Sequence, residues 1–222
     1  MRQRLLYDLA GADETIRFSP YCWRTTLALA HKNIRFESVP WHFTDKDAIA
    51  FSNQGKVPVL VDGETVISDS QEIAEYLETT YPNEASLFGD AATRALIGFV
   101  KAWTEDVLHP AIVPLVVGDI WALIDPKDKD YFRETRECYL GRKLEDFSPQ
   151  RETYLAAFKK ALTPLRRTLK RQSFVAGTAP NYADHIVFGA LQWGRITSKA
   201  PLLDDESEIS AWMAAVLGTY GL

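Results

Sequence analysis

The sequence has little cysteine: Cys22 and Cys138 are the only two among 222 residues. That is too few for a disulfide framework and suits a reducing cytoplasm. Basic residues are outnumbered, with 25 Lys and Arg against 30 Asp and Glu and a net charge of -5. With no basic run to offset it, this balance gives little attraction for nucleic acid or anionic lipid. No uninterrupted apolar stretch approaches the ~20 residues of a membrane span. The N-terminus moves straight into strand-like residues without a signal-peptide core. No His or Cys pair has zinc spacing, so no metal is expected. Repeats and low-complexity tracts are absent too. What remains, 46% apolar and 25% charged, is an ordinary globular composition. It can form one large domain or two small ones, each with its own core.

The first 80 or so residues alternate between strand and helix signals. Leu5 to Leu9 reads as a strand, and Tyr21 to Lys32 as a helix with Trp23, Leu27 and Ala30 at i, i+4 and i+7. Arg35 to Val39 alternates polar and apolar residues until Pro40 stops it. Val57 to Val61 is a near-continuous apolar run, and Asp62-Gly63 turns it back into Thr65 to Ile67. A second helix carries Ile73, Leu77 and Tyr81 on one face, with Pro82 beyond its end. A helical crossover makes the first two strands parallel; the tight turn makes the last two antiparallel. After Pro82 the strand signals fade. Ala95, Phe99 and Trp103 form one helical stripe, Tyr154, Phe158, Leu162 and Leu165 another. Asn181 to Asp184 reads as a capping box. The expected organisation is an α/β domain over residues 1–82, a linker over 83–92 and an all-α domain over 93–222.

Three short segments could carry chemistry. Ser19-Pro20-Tyr21-Cys22 lies between the first strand and the first helix. A helix start favours negative charge, so an anion there could take a hydrogen bond from the Ser19 hydroxyl. The same residues also make an ordinary N-cap serine followed by proline. Val57-Pro58 marks either an edge strand or a cis bond. In the cis form the Val57 N–H and C=O can pair with an extended peptide. Ser68 to Glu72 fits a capping box, yet Ser70 and the free helix-start amides suit a carboxylate and Asp69 suits an ammonium. An α-amino acid carries both charges.

These segments, in this order, resemble the glutathione transferase superfamily. Its Gly-x-Val-Pro-x-Leu pattern stands here as Gly55 to Leu60, its acidic-Ser pair as Asp69-Ser70, and its helical-domain cap as Asn181. Ser19 to Thr25, with the following Ala-Leu-Ala-His-Lys, is similar to the glutathione-dependent β-aryl etherases of bacteria and their fungal relatives. Asp130-Tyr131, Arg136-Glu137, Leu140-Gly141, Leu144 to Asp146 and Ala200 to Leu202 share that likeness, whereas Cys22 stands where the subgroup usually has an apolar residue.

The resemblance implies a thioredoxin-like α/β domain followed by a helical one, with glutathione as co-substrate and a homodimer as the assembly. Ser19 would donate to the glutathione sulfur, and Val57 would pair with its cysteinyl backbone. Asp69 and Ser70 would hold the γ-glutamyl end, and Lys56 would face the glycyl carboxylate. Trp41 and His42 belong to a loop bordering this pocket in the family, though His42 also reads as a surface residue. The hydrophobic second substrate would lie against aromatic surface drawn from Trp103, Trp121, Tyr131, Phe132 and Tyr139. Aryl ethers are candidate electrophiles, with hydroperoxides as side substrates. Two other functions stay open: a thiol oxidoreductase using Cys22, and a non-catalytic store for aromatic ligands.

Overall fold

The computed structural model describes residues 3–222. Strand β1 (Arg4–Leu9) leads through a loop into helix α1 (Pro20–His31), and β2 (Glu37–Trp41) returns beside β1. A 3-10 segment, Lys46–Ser52, precedes the hairpin of β3 (Val59–Asp62) and β4 (Thr65–Ser68), and α2 (Ser70–Thr80) follows. The sheet order is β2-β1-β3-β4, with β1 and β2 parallel and the other pairs antiparallel. This is the mixed arrangement the sequence implied. Gly63, at φ 64°, supplies the left-handed residue that the β3–β4 turn needs. Pro40 does not stop its strand: it lies opposite Asp8, and pairing continues to Trp41. Because β2 is an edge strand, a residue without an N–H can sit there on the unpaired side.

The second half is helical. Helix α3 (Ala91–Trp103), a π-helical segment Thr104–Leu108 and α4 (His109–Leu123) run on as one helix of 33 residues. By length and composition alone that helix could cross a membrane, although its apolar residues form no uninterrupted run. Lys101, Glu105 and Asp106 break its apolar residues in the sequence. In the fold its second half turns Ile112, Leu115, Val116 and Ile120 into the core. The stripe on its first half points differently: Phe99 is 72% exposed, Ala95 is exposed, and only Trp103 packs inward. Then come α5 (Lys129–Leu140), α6 (Arg151–Ala161), α7 (Thr163–Leu169), α8 (Tyr182–Thr197) and α9 (Ser207–Tyr220).

The two halves share their cores. One cluster joins Leu6 and Leu60 of the sheet and Leu77 of α2 to Tyr182 and Ile186 of α8. The other joins Leu9, Phe18 and Leu27 to Ile112, Phe158 and Phe188. Separate cores are therefore not what this chain builds. Helix α8 is buried along nearly its whole length. Its start is the capping box read from the sequence, with Ala183 N–H donating to Asn181 at 2.9 Å and Asn181 N–H to Asp184 at 3.1 Å. Gly189 lets α8 press on α1, because a Cβ there would collide with the Pro20 carbonyl oxygen. That contact fixes the start of α1, where Ser19 sits.

Candidate active site

A cavity of about 750 Å³ opens between the two halves. Ser19, Tyr21, Trp41, Lys46, Lys56 and Val57 line it from the first half, and α4, α5 and α8 close it from the second. Ser19 is buried and caps α1: its Oγ accepts from the Cys22 N–H at 3.3 Å. Accepting that bond leaves the hydroxyl proton free to be donated. The capping role and the anion-binding role of Ser19 are thus compatible. The Val57–Pro58 bond is cis. Among the described residues no hydrogen bond engages the Val57 N–H or C=O, so both are available to a ligand.

Asp69 and Ser70 lie at the start of α2 and do not line the cavity itself. Asp69 holds φ 74°, and its carboxylate accepts from Gln71 N–H at 2.7 Å. It lies near enough to Tyr21 for its charge to help raise that phenol's pKa, behind burial as the main cause. Ser70 is buried, and its carbonyl accepts from the Tyr182 hydroxyl at 2.8 Å. The structure thus gathers Ser19, Lys56 and Val57 on one cavity and sets the α2 pair at the next helix start. Of the five expected aromatics, Tyr131, Phe132 and Tyr139 line the cavity. Trp103 and Trp121 pack against the core cluster instead.

Two residues differ from expectation. His42 is neither on the surface nor in the cavity wall: it is buried, with ring nitrogens 3.2 Å from the Gly11 carbonyl and 3.1 Å from Asp45. Those bonds fasten the loop after β2. Cys22 is fully buried, and burial first and the neighbouring Asp8 charge second push its thiol pKa well up. A reactive cysteine needs the reverse, a lowered pKa and exposure. Cys22 is packing.

Sequence reasoning missed several wall residues. Lys46 donates to the Gly55 carbonyl at 2.7 Å, and its Nζ lies 4.7 Å from the centre of the Trp41 ring. Glu105 sits in the π-helical segment and pairs with the wholly buried Arg24 at 2.7 Å and with Lys101 at 2.9 Å. His109 follows directly, edge-on to the rings of Tyr21 and Trp193 at 5.6 and 5.7 Å. Burial, helped by the Arg24 charge, lowers its pKa to about 4, so it is neutral at pH 7. Arg136 of α5 stacks over Phe132 at 4.8 Å and Phe43 at 5.1 Å. Arg136 stood in the sequence only as part of a family likeness, without a role in the wall, and the others in no short motif; a π-helical turn inside a long helix is invisible in composition. Among the described residues no group of three or more His, Cys, Asp and Glu could hold a metal ion.

Comparison with known proteins gives a consistent result. Residues 15–85 match the glutathione S-transferase N-terminal domain, and residues 95–216 the glutathione S-transferase C-terminal domain. Glutathione S-transferase F10 of Arabidopsis thaliana is 26% identical over 202 residues, covering 85% of this chain and 84% of that protein. The crystal structure of glutathione transferase GSTFuA3 from Phanerochaete chrysosporium superposes with a TM-score of 0.88 at 24% identity, covering 98% of this chain and 97% of its own. That of CsGST63524 from Ceriporiopsis subvermispora, in complex with glutathione, gives 0.87 at 23% identity, covering 99% and 96%. With the fold, the Ser19 helix start and the cis Val57–Pro58 bond in place, the chain belongs to the glutathione S-transferase family.

Proposed function

We propose that this protein activates the glutathione thiol and transfers it to hydrophobic, aromatic electrophiles. The carrying observation is the Ser19 hydroxyl at the start of α1, facing a cavity that the free Val57 backbone also borders. Ser19 donates to the sulfur, Val57 pairs with the cysteinyl backbone, and Asp69 with Ser70 takes the γ-glutamyl end. Lys56, with Lys46 beside it, faces the glycyl carboxylate. A free thiol of pKa ~8.5 is about 3% ionised at pH 7. Lowering it to roughly 6.5 makes about three-quarters of it thiolate. Lost nucleophilicity returns about 8-fold of that ~25-fold gain, at a Brønsted slope of ~0.4–0.5. Positioning the two reactants supplies the larger share.

In the transfer, the sulfur forms a bond to carbon while the leaving group departs with its electron pair. With an aryl ether the group expelled is a phenoxide, tolerable without a strong general acid. Ligand storage is the second reading, favoured by the cavity's size and apolar walls. One experiment separates them. Ultraviolet titration of bound glutathione should show a thiolate pKa below that of the free thiol. It should move back up in Ser19→Ala, with turnover down about 10-fold or more for the lost charge-assisted bond. Cys22→Ser should leave both nearly unchanged. An unshifted thiol in the wild type, with aromatic ligands bound but no product formed, would establish storage.

The assembly we propose is a homodimer in the cytoplasm. Support comes from Leu96 and Phe99, 66% and 72% exposed on one side of α3, an apolar face that a monomer leaves in water. Sedimentation at about twice 25.1 kDa is expected; a single-chain mass, or a dimer that survives Phe99→Glu, would count against that face.

A further inference from the structure

The chain is acidic overall, at -5, yet the cavity wall is not. Lys46, Lys56, Arg136 and Arg142 line it, against Glu105 alone. Both Glu105 oxygens are already engaged, one by Arg24 and the other by Lys101. The cavity therefore carries unbalanced positive charge.

That charge concentrates beside α5. Among the described residues, the hydrogen bond that Arg136 makes is to Thr135 Oγ1 at 2.9 Å, and no carboxylate pairs with it. Its neighbour in the chain, Glu137, pairs with Arg133 at 2.7 Å instead, and Arg133 also holds Glu145. Arg142 donates to the Tyr154 hydroxyl at 2.8 Å and lies over the Phe147 ring at 4.9 Å, again without an acid. Burial pulls the Arg136 pKa down, the sign of a charge short of water and of counter-ion. A guanidinium so placed has N–H groups to spare, in the fork that fits a carboxylate. Phe43 and Phe132 stand against it and Phe147 against Arg142, apolar rings in the cavity wall beside the two cations. The aromatic faces select the body of the ligand, and the arginines its charge.

We propose that the second substrate is an aromatic acid, its ring against Phe43 and Phe132 and its carboxylate on Arg136, with Arg142 adding long-range attraction. The claim that this anion is the electrophile rests on the glutathione-transfer reading; the claim that an aromatic carboxylate binds here does not.

Calorimetric titration with naphthalene-2-carboxylate and its neutral carboxamide tests the binding claim, with and without saturating glutathione. The wild type should bind the carboxylate about ten-fold more tightly, less so at high salt. Arg136→Gln should reduce that preference to about two-fold or less, and Arg136→Lys should keep part of it. Carboxamide affinity should stay unchanged in both, which shows that the cavity is intact. Equal binding of the two probes by the wild type would overturn the inference, as would a preference surviving in both Arg136→Gln and Arg142→Gln. A conjugation arm compares 4-(bromomethyl)benzoate with 4-(bromomethyl)benzamide. There the sulfur–carbon bond forms, bromide leaves with the electron pair, and the thiol proton passes to buffer. Higher kcat/KM for the benzoate, lost in Arg136→Gln, supports the electrophile claim. Equal kcat/KM with normal glutathione binding sinks that claim alone. Absent glutathione binding with a retained carboxylate preference sinks the transfer reading and leaves the anion site standing.

Discussion

The two sides of the cavity are built by different means. On the α1 side the groups that the proposed reading assigns to glutathione are largely backbone or helix-start groups: the Ser19 cap, the unpaired Val57 peptide and, outside the cavity wall at the next helix start, Asp69. On the α5 side the wall groups are ring faces and cationic heads on long side chains, Phe43, Tyr131, Phe132 and Arg136. Backbone geometry is hard to alter one residue at a time, so the first side suits a ligand that never changes. Side chains can be exchanged freely, so the second suits a partner that differs between relatives. In the proposed reaction glutathione takes the first side and the electrophile the second.

The strongest way to break the comparison is to disturb what holds the α1 side rigid. Gly189→Ala places a methyl group against the Pro20 carbonyl, and backbone must move to accept it. Overpacking of this kind typically costs ~1–3 kcal/mol, and the rigid neighbour puts this case at the upper end. Denaturant unfolding reads the loss directly. In the variant that still folds, glutathione affinity should fall while discrimination between naphthalene carboxylate and carboxamide persists. Unchanged stability would mean that α8 can retreat from α1 and that the α1 side is not fixed by it.

A second test sharpens the contrast through pH. Behind Ser19, Asp8 is buried with Oδ1 unpartnered among the described residues, and burial raises its pKa from 3.8 to about 7. Its native form holds a proton that the unfolded chain has already lost, so stability falls as pH rises from 3.8 towards 7. His109 has the opposite sign. Its pKa is lowered from 6.5 to about 4, so the unfolded chain binds the proton first and stability falls as pH drops from 6.5 towards 4. Each effect is about 1.4 kcal/mol per pH unit, and where the windows overlap they offset. Asp8→Asn removes one slope. Its stability relative to the wild type should improve by roughly 3 kcal/mol between pH 5 and pH 8. Parallel stability–pH curves would show that Asp8 is ionised in the native state.

Much of the α1 side was legible in the sequence because its signals are local. The Asp62-Gly63 turn, the Pro58 position and the caps at Ser19, Asp69 and Asn181 each act on residues within a few positions of themselves. The α5 side was only half legible. Tyr131, Phe132 and Tyr139 could be named as aromatic surface, but Arg136 is distinguished only by which acids fail to reach it. Phe99 followed the helical period correctly and still pointed outward, since a period shows that a face exists and not what covers it. His42 and Pro40 were misjudged for a related reason. Burial and strand pairing are settled by Gly11 for His42 and by Asp8 for Pro40, both about thirty residues away in the chain.

The smallest expected effect concerns the two lysines where the sides meet. Two cations of the cavity wall stand where a glycyl carboxylate could be met: Lys56, to which the sequence pointed, and Lys46. Lys56 is exposed and its ammonium has no partner among the described residues, whereas Lys46 is half-buried, tied to the Gly55 carbonyl at 2.7 Å and stacked on Trp41. An exposed charge is screened and contributes ~0.2–1 kcal/mol, so Lys56→Ala should weaken glutathione binding only about two- to five-fold, and less at high salt. Lys46→Ala should cost more and depend less on salt. Glutathione glycine ethyl ester completes the test, since it lacks the carboxylate that either lysine would meet. If Lys46 holds that carboxylate, the ester binds more weakly than glutathione to the wild type and to Lys56→Ala, and about equally to Lys46→Ala. Should Lys56→Ala be the variant that erases the difference, the rim lysine carries the contact, and Lys46 belongs with the aromatic side as a support for Trp41 and Tyr131.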